Sequence, residues 1–353
     1  MDRRAALLFA ALGVAWGIPY LLVKVAVEEL SPAMLVLMRT SIAAAILLPL
    51  AARRGTLGGA LRHWKVIAAY AVIEIVLPWL MIGNAELRLS SSTTALLIAA
   101  TPLVGVALAF ATRRNEALGR TGSLGLVLGF LGVAALVGLD IDTSDHIAVL
   151  QLGVVAIGYS VGPMILARWL ANESGPAVVG LSFAVAAVAM LPILALSGGW
   201  PEAVPSAKVI GALAVLVLVC TVGAFLMLFE LIGRVGPVRS TAVTYVNPAV
   251  AIVAGALFLG EAITPWTVVG FVLVLAGSVL LTRRPATQDE PELSPMLTGA
   301  TTEFPALPEL AEAATAGHSP LTRSRHGGVV GARRRTWRES GRRLGRPVVA
   351  RRG

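Results

Sequence analysis

Long apolar runs separated by short polar segments are the dominant pattern along this chain. A helix needs about 20 apolar residues to cross the roughly 30 Å hydrocarbon core of a membrane. Ten runs approach or meet that length, and they predict an all-α integral membrane protein with ten transmembrane helices. The runs lie at residues 5–25, 32–50, 65–83, 92–111, 121–139, 148–167, 176–196, 208–229, 237–258 and 266–282.

The composition indicates that lipid is the main solvent of this chain. Hydrophobic residues make up 56% of the 353 residues, charged residues make up 14%, and the mean hydropathy is +0.80. Soluble domains have nearer a quarter of charged residues, so this chain has too few charges for a polar surface. Its single cysteine, Cys220, excludes an intrachain disulfide. The sequence contains no metal-binding, nucleotide-binding or redox motif, and we therefore expect no cofactor.

Basic residues are concentrated in every second polar segment. Loops rich in Lys and Arg face the cytoplasm, so both termini are predicted to be cytoplasmic in the plasma (inner) membrane of the cell. The predicted outer loops hold Arg88 and Lys208 alone. The net charge of +9 therefore reflects topology and not nucleic-acid binding. The fourteen basic residues of the predicted inner segments are Arg3, Arg4, Arg53, Arg54, Arg62, Lys65, Arg113, Arg114, Arg120, Arg168, Arg234, Arg239, Arg283 and Arg284.

Residues 285–353 differ in character from the rest of the chain. Pro, Thr, Glu and Ala dominate up to residue 320, and Arg-rich sequence follows. A segment of this composition buries too little apolar surface to offset its ordering entropy. We predict a disordered, basic cytoplasmic tail. An inert tail is favoured over one that binds anionic lipid headgroups.

The two halves of the helical region repeat each other at an offset of 143 to 146 residues. Pro102 recurs as Pro248, for example, and Glu116 recurs as Glu261. Each half holds five predicted helices, so the second half enters the membrane in the opposite sense from the first. Inverted repeats of this kind allow one fixed site to face either side of the membrane in turn. A duplication that merely builds a stable bundle is the alternative.

Short motifs stand at the ends of these halves. They are Trp16-Gly17, Lys24, Pro32 and Arg39 at the opening of the first half, residues 95–116 with Gly125 and Gly132 at its close, and Asn247-Pro248, Gly260-Glu261 and Gly270 at the close of the second. Together they resemble the EamA domains of the drug/metabolite transporter superfamily. The resemblance implies a ten-helix carrier of two five-helix inverted EamA repeats, at 5–139 and 148–284. It also implies export as the direction of transport.

Two ionisable residues lie well inside predicted helices, Arg39 in the second and Glu74 in the third. A charge at the bilayer centre costs at least ~2.5–3.5 kcal/mol, so each needs a cavity, a partner or neutralisation. Their repeat counterparts are Phe183 and Cys220, so the two charges break the pseudo-symmetry. One interpretation is a structural Arg39–Glu74 ion pair. The other is that Glu74 titrates during transport while Arg39 tunes it or contacts an anionic group.

Polar and aromatic residues at similar depth predict a substrate cavity. Pro78, Pro102 and Pro248 fall inside apolar runs, and broken helices near the midplane bind substrate in carriers with inverted repeats. For each aromatic residue, packing against lipid or helices is the alternative. The predicted cavity residues are Trp16, Arg39, Tyr70, Glu74, Trp79, Asn84, Thr101, Tyr159, Tyr245 and Asn247, with Glu74 as the proton-coupling candidate.

Other conspicuous residues are interpreted as structural. Glycines spaced along one face of the fifth predicted helix indicate close helix packing and not a nucleotide loop. Glu116 and Glu261 are interpreted as helix caps. The glycines are Gly122, Gly125, Gly129 and Gly132.

The sequence as a whole predicts a secondary transporter for a small organic solute, with an amino acid, another metabolite and a drug all compatible. The predicted partners are this solute, membrane lipid and protons. A membrane enzyme would need a nucleophile, metal ligands or a paired acid and base at one depth, and the predicted spans offer none. A channel would need a wide aqueous path or a symmetric filter. A structural membrane subunit stays open as a further alternative.

Overall fold

The computed structural model describes residues 2–111, 120–139, 145–236, 240 and 242–282, and every regular element among them is helical. In chain order the α-helices are α1 (Arg3–Gly17), α2 (Pro19–Ala26), α3 (Pro32–Arg53), α4 (Leu57–Arg62), α5 (Trp64–Tyr70), α6 (Leu77–Glu86), α7 (Ser91–Ile98), α8 (Thr101–Ala111), α9 (Arg120–Leu139), α10 (His146–Trp169), α11 (Gly175–Ser197), α12 (Ala207–Val217), α13 (Ala224–Val235), α14 (Asn247–Leu259) and α15 (Pro265–Thr282).

Eight helical stretches of the described residues are long and apolar enough to cross a membrane, in agreement with predicted helices one to four and six to nine. The predicted fifth and tenth helices form α9 and α15, whose apolar parts, Thr121–Leu136 and Pro265–Leu280, are shorter. The predicted tail and the loop with Glu116 lie outside the described residues. The eight spans are Arg3–Ala26, Pro32–Arg53, Trp64–Glu86, Ser91–Leu108, His146–Trp169, Gly175–Ser197, Ala207–Val235 and Ala242–Leu259.

Two spans change their helical winding at equivalent places in the two halves. A π-helical segment, Ala71–Val76, separates α5 from α6, and a second, Leu218–Gly223, separates α12 from α13. A π-turn contains an extra residue, so the helix faces before and after it are rotated relative to each other, and such turns are frequent at functional sites. The two segments begin at residues 71 and 218, close to the offset that relates the repeats.

Proline marks the predicted helix breaks. Helix α8 begins at Thr101-Pro102 after α7 ends at Ile98, and α14 begins at Asn247-Pro248 after a short 3-10 turn, Ala242–Tyr245. Proline is tolerated in the first turn of a helix because its missing N–H group would have no helical acceptor there. The predicted interruptions before Pro102 and Pro248 are therefore present.

Equivalent helices of the two halves pack against one another. The second helix of each half forms one such pair, α3 with α11, and the fifth helices form another, α9 with α15. The first helix of each half packs against the third of the other, as α2 with α12 and α10 with α6. The second helix of each half also packs against the π-helical segment of the other half, so these four segments meet between the two halves.

Glycine permits the close approach of α9 and α15. A Cβ atom added at Gly277 would lie 2.5 Å from the backbone nitrogen of Gly129, and one at Gly132 would lie 2.8 Å from that of Val274. Real Cβ atoms do not approach backbone so closely, so larger residues would separate the helices. The predicted packing role is confirmed for Gly129 and Gly132.

A valine at Gly277 is expected to destabilise the protein because the overlap is with backbone and no side-chain rotation relieves it. Overpacking of this kind costs about 1–3 kcal/mol. The measurement is thermal unfolding of the purified protein in detergent. Gly153→Val is the matched control, since a Cβ at Gly153 meets no atom within 4 Å. Equal transition temperatures for the two variants would contradict this packing.

Candidate functional site

Arg39 lies roughly two turns from the start of α3 and is held by both halves of the protein. Its guanidinium carbon is 3.5 Å from the ring centroid of Trp79 on α6, a cation–π contact. Its Nε donates a hydrogen bond to Oγ1 of Thr221 at 2.8 Å. Within the described residues, its terminal nitrogens Nη1 and Nη2 make no hydrogen bond or ion pair. This planar pair of donors is the geometry that binds a carboxylate through two hydrogen bonds.

The packing of α3 explains this orientation. Helix α3 lies against α11 and α12 and against the second π-helical segment, which contains Thr221. The Thr221 hydroxyl donates to the carbonyl of Leu216 at 2.8 Å, so its oxygen accepts from Arg39 with a fixed orientation. Thr221 was not among the predicted cavity residues. The repeat gives the signal for it, because Thr221 follows Cys220, the counterpart of Glu74.

Glu74 lies in the first π-helical segment and points to α10. A Cβ at Gly162 would overlap its carboxylate, so the absence of a side chain there makes room for it. The Oε2 atom is buried and has no hydrogen-bond partner among the residues that the structure describes. In the described part of the chain Glu74 and Arg39 form no ion pair. The reason is that the Arg39 guanidinium packs on Trp79 and donates to Thr221, whereas the Glu74 carboxylate lies against Gly162 of α10.

Three tyrosines lie around the two charged residues. Tyr20 of α2 and Tyr159 of α10 both lie near Arg39. Tyr159 also lies near Glu74, and so does the buried Tyr70. Tyr20 was not predicted, although it stands one helical turn after Trp16 on the same helix face. We use the name arginine cluster for Tyr20, Arg39, Trp79, Tyr159 and Thr221.

Aromatic rings extend the arginine cluster on one side. Phe183, the repeat counterpart of Arg39, is fully buried and its ring centroid lies 5.6 Å from that of Trp79. Phe225 follows at 5.8 Å from Phe183, and Trp16 stands edge-on to Phe225 at 6.2 Å. The predicted residues Trp16 and Trp79 therefore belong to one aromatic wall. Phe183 and Phe225 were not predicted, because a phenylalanine in an apolar run gives no distinguishing signal.

The two helix breaks form a second polar group. The Ser160 hydroxyl of α10 donates to the carbonyl of Ala156 at 2.7 Å, and its Oγ also lies 3.2 Å from the carbonyl oxygen of Thr101. Ser278 of α15 donates to a carbonyl in the break before Thr101 at 3.2 Å and accepts, through its own carbonyl, from the Tyr245 hydroxyl at 3.5 Å. Asn247 adds a buried Oδ1 that has no hydrogen-bond partner in the described part of the chain. The predicted residues Thr101, Tyr245 and Asn247 are thus brought together around the two breaks.

The side-chain amide of Asn84 makes no hydrogen bond, among the described residues, to the arginine cluster or to the polar group at the helix breaks. Its Nδ2 donates to the carbonyl of Leu80 at 2.8 Å, one turn back in the same helix. A cleft of ≈ 360 Å³ lies elsewhere, at the end of the protein that carries Glu29 and Ser31. Of the described residues, no three or more His, Cys, Asp or Glu side chains are grouped so that they could hold a metal ion. The arginine cluster is the better candidate site, since it joins a free pair of donors to an aromatic wall.

Comparison with known proteins identifies the family. The EamA-like transporter family matches residues 3–138 and 146–283, which is most of the chain. The chain belongs to the EamA-like transporter family. It is therefore a multi-pass membrane transporter with two EamA repeats, and the resemblance seen in the sequence is confirmed.

Two curated relatives of this transporter are named as transporters. The uncharacterized transporter YvbV of Bacillus subtilis (strain 168) is 25% identical over 296 residues, which cover 81% of this chain and 93% of the relative. A probable terminal-alkyne amino-acid exporter of Streptantibioticus cattleyicolor is 27% identical over 274 residues, covering 77% and 91%. A protein of known crystal structure superposes with a TM-score of 0.57 at 18% identity, over 79% of this chain and 96% of its own, and shares the fold. Family and relatives point to a transporter and not an enzyme.

Proposed function

We propose that this protein is a secondary transporter that exports a small organic solute with a carboxylate group and an apolar part. Amino acids are the first class to test. The observation that carries the proposal is the Arg39 guanidinium, which is stacked on Trp79 and has two donors without a partner in the described part of the chain. Arg39 is partly buried, so its charge favours a bound anion, and a carboxylate matches the planar fork.

The aromatic wall supports the choice of substrate class. Trp79 and Phe183 adjoin Arg39, so a solute whose carboxylate binds Arg39 places its apolar part against these rings. A probable amino-acid exporter among the relatives, which is similar over most of its length, agrees with this class and with export. Membrane exporters of larger drugs would need a wider apolar surface than one amino-acid side chain occupies.

Alternating access is the proposed mechanism, with repeats at 5–139 and 148–284. The arginine cluster draws Arg39 and Trp79 from the first repeat and Tyr159 and Thr221 from the second, so relative motion of the repeats opens the site to one side at a time. Glu74 is the proposed proton-coupling residue. Its Oε2 atom is buried and has no hydrogen-bond partner among the described residues, and Tyr159 lies near both Glu74 and Arg39.

Ten membrane helices with both termini in the cytoplasm are the proposed topology. The contacts between polar segments support it, because each joins segments that the basic residues assign to the same side. Lys208 pairs with Glu28 at 2.8 Å at the proposed outer end, whereas Arg4 pairs with Glu230 at 2.9 Å at the inner end. Hydrogen bonds from Ser206 also lower the pKa of Glu29 at the outer end. That contact stabilises the fold at neutral pH and is lost as the pH falls through the lowered pKa.

Cysteine labelling tests this topology. In a Cys220→Ala background, a membrane-impermeant maleimide added to intact cells is expected to react with Glu202→Cys but not with Arg53→Cys. Both native side chains are exposed, so a difference in labelling reports the side of the membrane. Permeabilised cells are the control and should label both. The reverse pattern in intact cells, or reaction of both cysteines, would exclude the proposed orientation.

Flux in reconstituted vesicles tests the proposed function. Purified protein is assayed with a panel of radiolabelled amino acids and with their methyl esters, with and without a pH gradient. We expect flux of at least one apolar amino acid and none of its ester, because the ester lacks the carboxylate. Transport of ester and acid alike would exclude carboxylate recognition. No flux of any solute would favour the structural-subunit alternative.

A further inference from the structure

Two exposed tryptophans at the proposed inner end are each paired with a basic residue, and neither belongs to the proposed transport site. Trp64 and Trp169 are 60% and 52% exposed. The Nζ atom of Lys65 lies 5.8 Å from the ring centroid of Trp64, and the guanidinium carbon of Arg168 lies 5.2 Å from that of Trp169. Both distances allow a cation–π attraction. We use the name tryptophan patch for Arg62, Trp64, Lys65, Arg168 and Trp169.

A small buried core joins the two pairs. Ile67 lies one helical turn after Trp64 in α5, and Leu170 directly follows Trp169, the last residue of α10. The side chains of Ile67 and Leu170 are buried in one hydrophobic cluster, which also contains Ala60 of α4. The start of α5 and the end of α10 are therefore packed together. The two cation–tryptophan pairs thus flank the same core.

The tryptophan patch is positively charged, and carboxylates do not balance its charge. Arg62, Lys65 and Arg168 are exposed and make no ion pair or hydrogen bond within the described ranges. Glu173, in the loop after α10, contacts another residue, because its Oε1 lies 3.5 Å from the Nε2 of His63. A set of exposed cations without anions favours a negatively charged partner.

The position of the patch indicates what this partner is. Trp64 begins the span Trp64–Glu86, and Trp169 ends the span His146–Trp169. Tryptophan is enriched where a membrane helix meets the lipid headgroups, and long basic side chains extend from the ends of spans to the charged interface. A partner at this depth offers an apolar part to the rings and an anionic group to the cations. An anionic phospholipid has both.

We propose that the tryptophan patch binds the headgroup of an anionic phospholipid. Lys65 and Arg168 neutralise its charge, and the two indole rings lie at the level of its glycerol backbone. Because Lys65 belongs to the first repeat and Arg168 to the second, a lipid bound across the patch favours the arrangement of the repeats seen in this structure. The proposal does not rest on the carboxylate substrate or on proton coupling.

Fluorescence quenching by brominated lipids tests the preference of the patch. The full-length protein is reconstituted in phosphatidylcholine bilayers that contain an increasing fraction of brominated phosphatidylglycerol or, in the matched series, of brominated phosphatidylcholine. Subtraction of the signal of a Trp64→Phe, Trp169→Phe variant isolates the emission of the patch. We expect a preference of about fivefold or more for the anionic lipid, the effect of one basic residue near a charged membrane surface. Equal quenching by both lipids would overturn the proposal and assign the patch to an acidic soluble partner.

Charge replacements identify the residues responsible. A Lys65→Gln, Arg168→Gln variant removes both cations and keeps both rings, so both lipids should quench it equally. The replaced side chains are exposed, and thermal unfolding in detergent checks that the fold is kept. Arg88→Gln is the matched control, because Arg88 is an exposed basic residue just beyond the other end of the span Trp64–Glu86. This control should retain the wild-type preference. A double variant that also retains it would overturn the proposal.

Salt and soluble phosphate distinguish a lipid headgroup from a free anion. An increase in ionic strength from 0.1 to 1 M shortens the Debye length from about 10 Å to about 3 Å, so the preference should fall. Glycerol phosphate at constant ionic strength should leave it unchanged, because the headgroup is held in the membrane beside the patch. A preference independent of salt, or one abolished by glycerol phosphate, would contradict binding of a charged lipid headgroup.

Discussion

Replacement of Arg39 by alanine is expected to abolish recognition of the substrate carboxylate. Removal of one partner of a buried, hydrogen-bonded charge pair costs about 2–5 kcal/mol, which corresponds to a rise in Kd of about 30-fold or more. The fold should survive, because Arg39 makes no ion pair within the described residues and the Thr221 hydroxyl keeps its bond to the Leu216 carbonyl. Calorimetric binding of the transported solute to purified protein measures the effect.

Two controls separate carboxylate recognition from a general loss of structure. Arg39→Lys retains the charge but not the planar fork, so it should fall between wild type and Arg39→Ala. Lys208→Ala removes an exposed ion pair at the end of the protein and should leave Kd unchanged. Equal loss of affinity for the acid and for its methyl ester in Arg39→Ala would show that Arg39 shapes the cavity and does not bind the carboxylate.

Replacement of Glu74 by glutamine is expected to abolish the response of flux to a pH gradient. One pH unit supplies about 1.4 kcal/mol per proton and supports about tenfold accumulation in a 1:1 exchange. Glutamine has nearly the same shape and fits beside Gly162, but it cannot bind and release a proton. Exchange of labelled for unlabelled solute without a gradient should therefore continue. Vesicle flux with and without the gradient measures both quantities.

The control for Glu74 is Glu202→Gln, which removes an exposed carboxyl and should respond to the gradient as wild type does. A Glu74→Gln variant with unchanged pH dependence would assign the carboxyl to the scaffold. A wild-type protein that ignores the gradient would make the transporter a facilitator.

Much of the fold follows from the sequence, because a membrane imposes a length and polarity on each span. The apolar runs locate the helices, and Pro102 and Pro248 locate two breaks through the missing backbone donor. The structure confirms eight spans, while α9 and α15 are helices with shorter apolar parts. The π-helical segments could not be predicted, since Ala71–Val76 and Leu218–Gly223 have no residue that forbids ordinary α-helical winding.

The site was harder to predict than the fold. Arg39 and Glu74 stand out as charges in apolar runs, and their similar depth suggests an ion pair. Their partners depend on which helix faces which, and the sequence contains no rule for that. Phe183 becomes apparent only after the second helices are seen to pack against each other, and Thr221 is marked in the sequence only by its place after Cys220, the counterpart of Glu74. The charged residues in apolar runs were therefore predicted from the sequence, whereas apolar residues such as Phe183 were not, because such residues are common in every transmembrane helix.

The paired π-helical segments also bear on the history of the chain. The extra residue of a π-turn arises most simply by insertion of one codon into a gene for an α-helix. The segments at 71–76 and 218–223 occupy equivalent places in both repeats. Their side chains have nevertheless diverged, because the first segment contains Glu74, whereas the second has Cys220 and Thr221 at the corresponding place. A shared irregularity with divergent residues indicates that the insertion is older than the gene duplication. The ancestral repeat thus already carried the irregular turn, and the two copies later acquired different side chains at it.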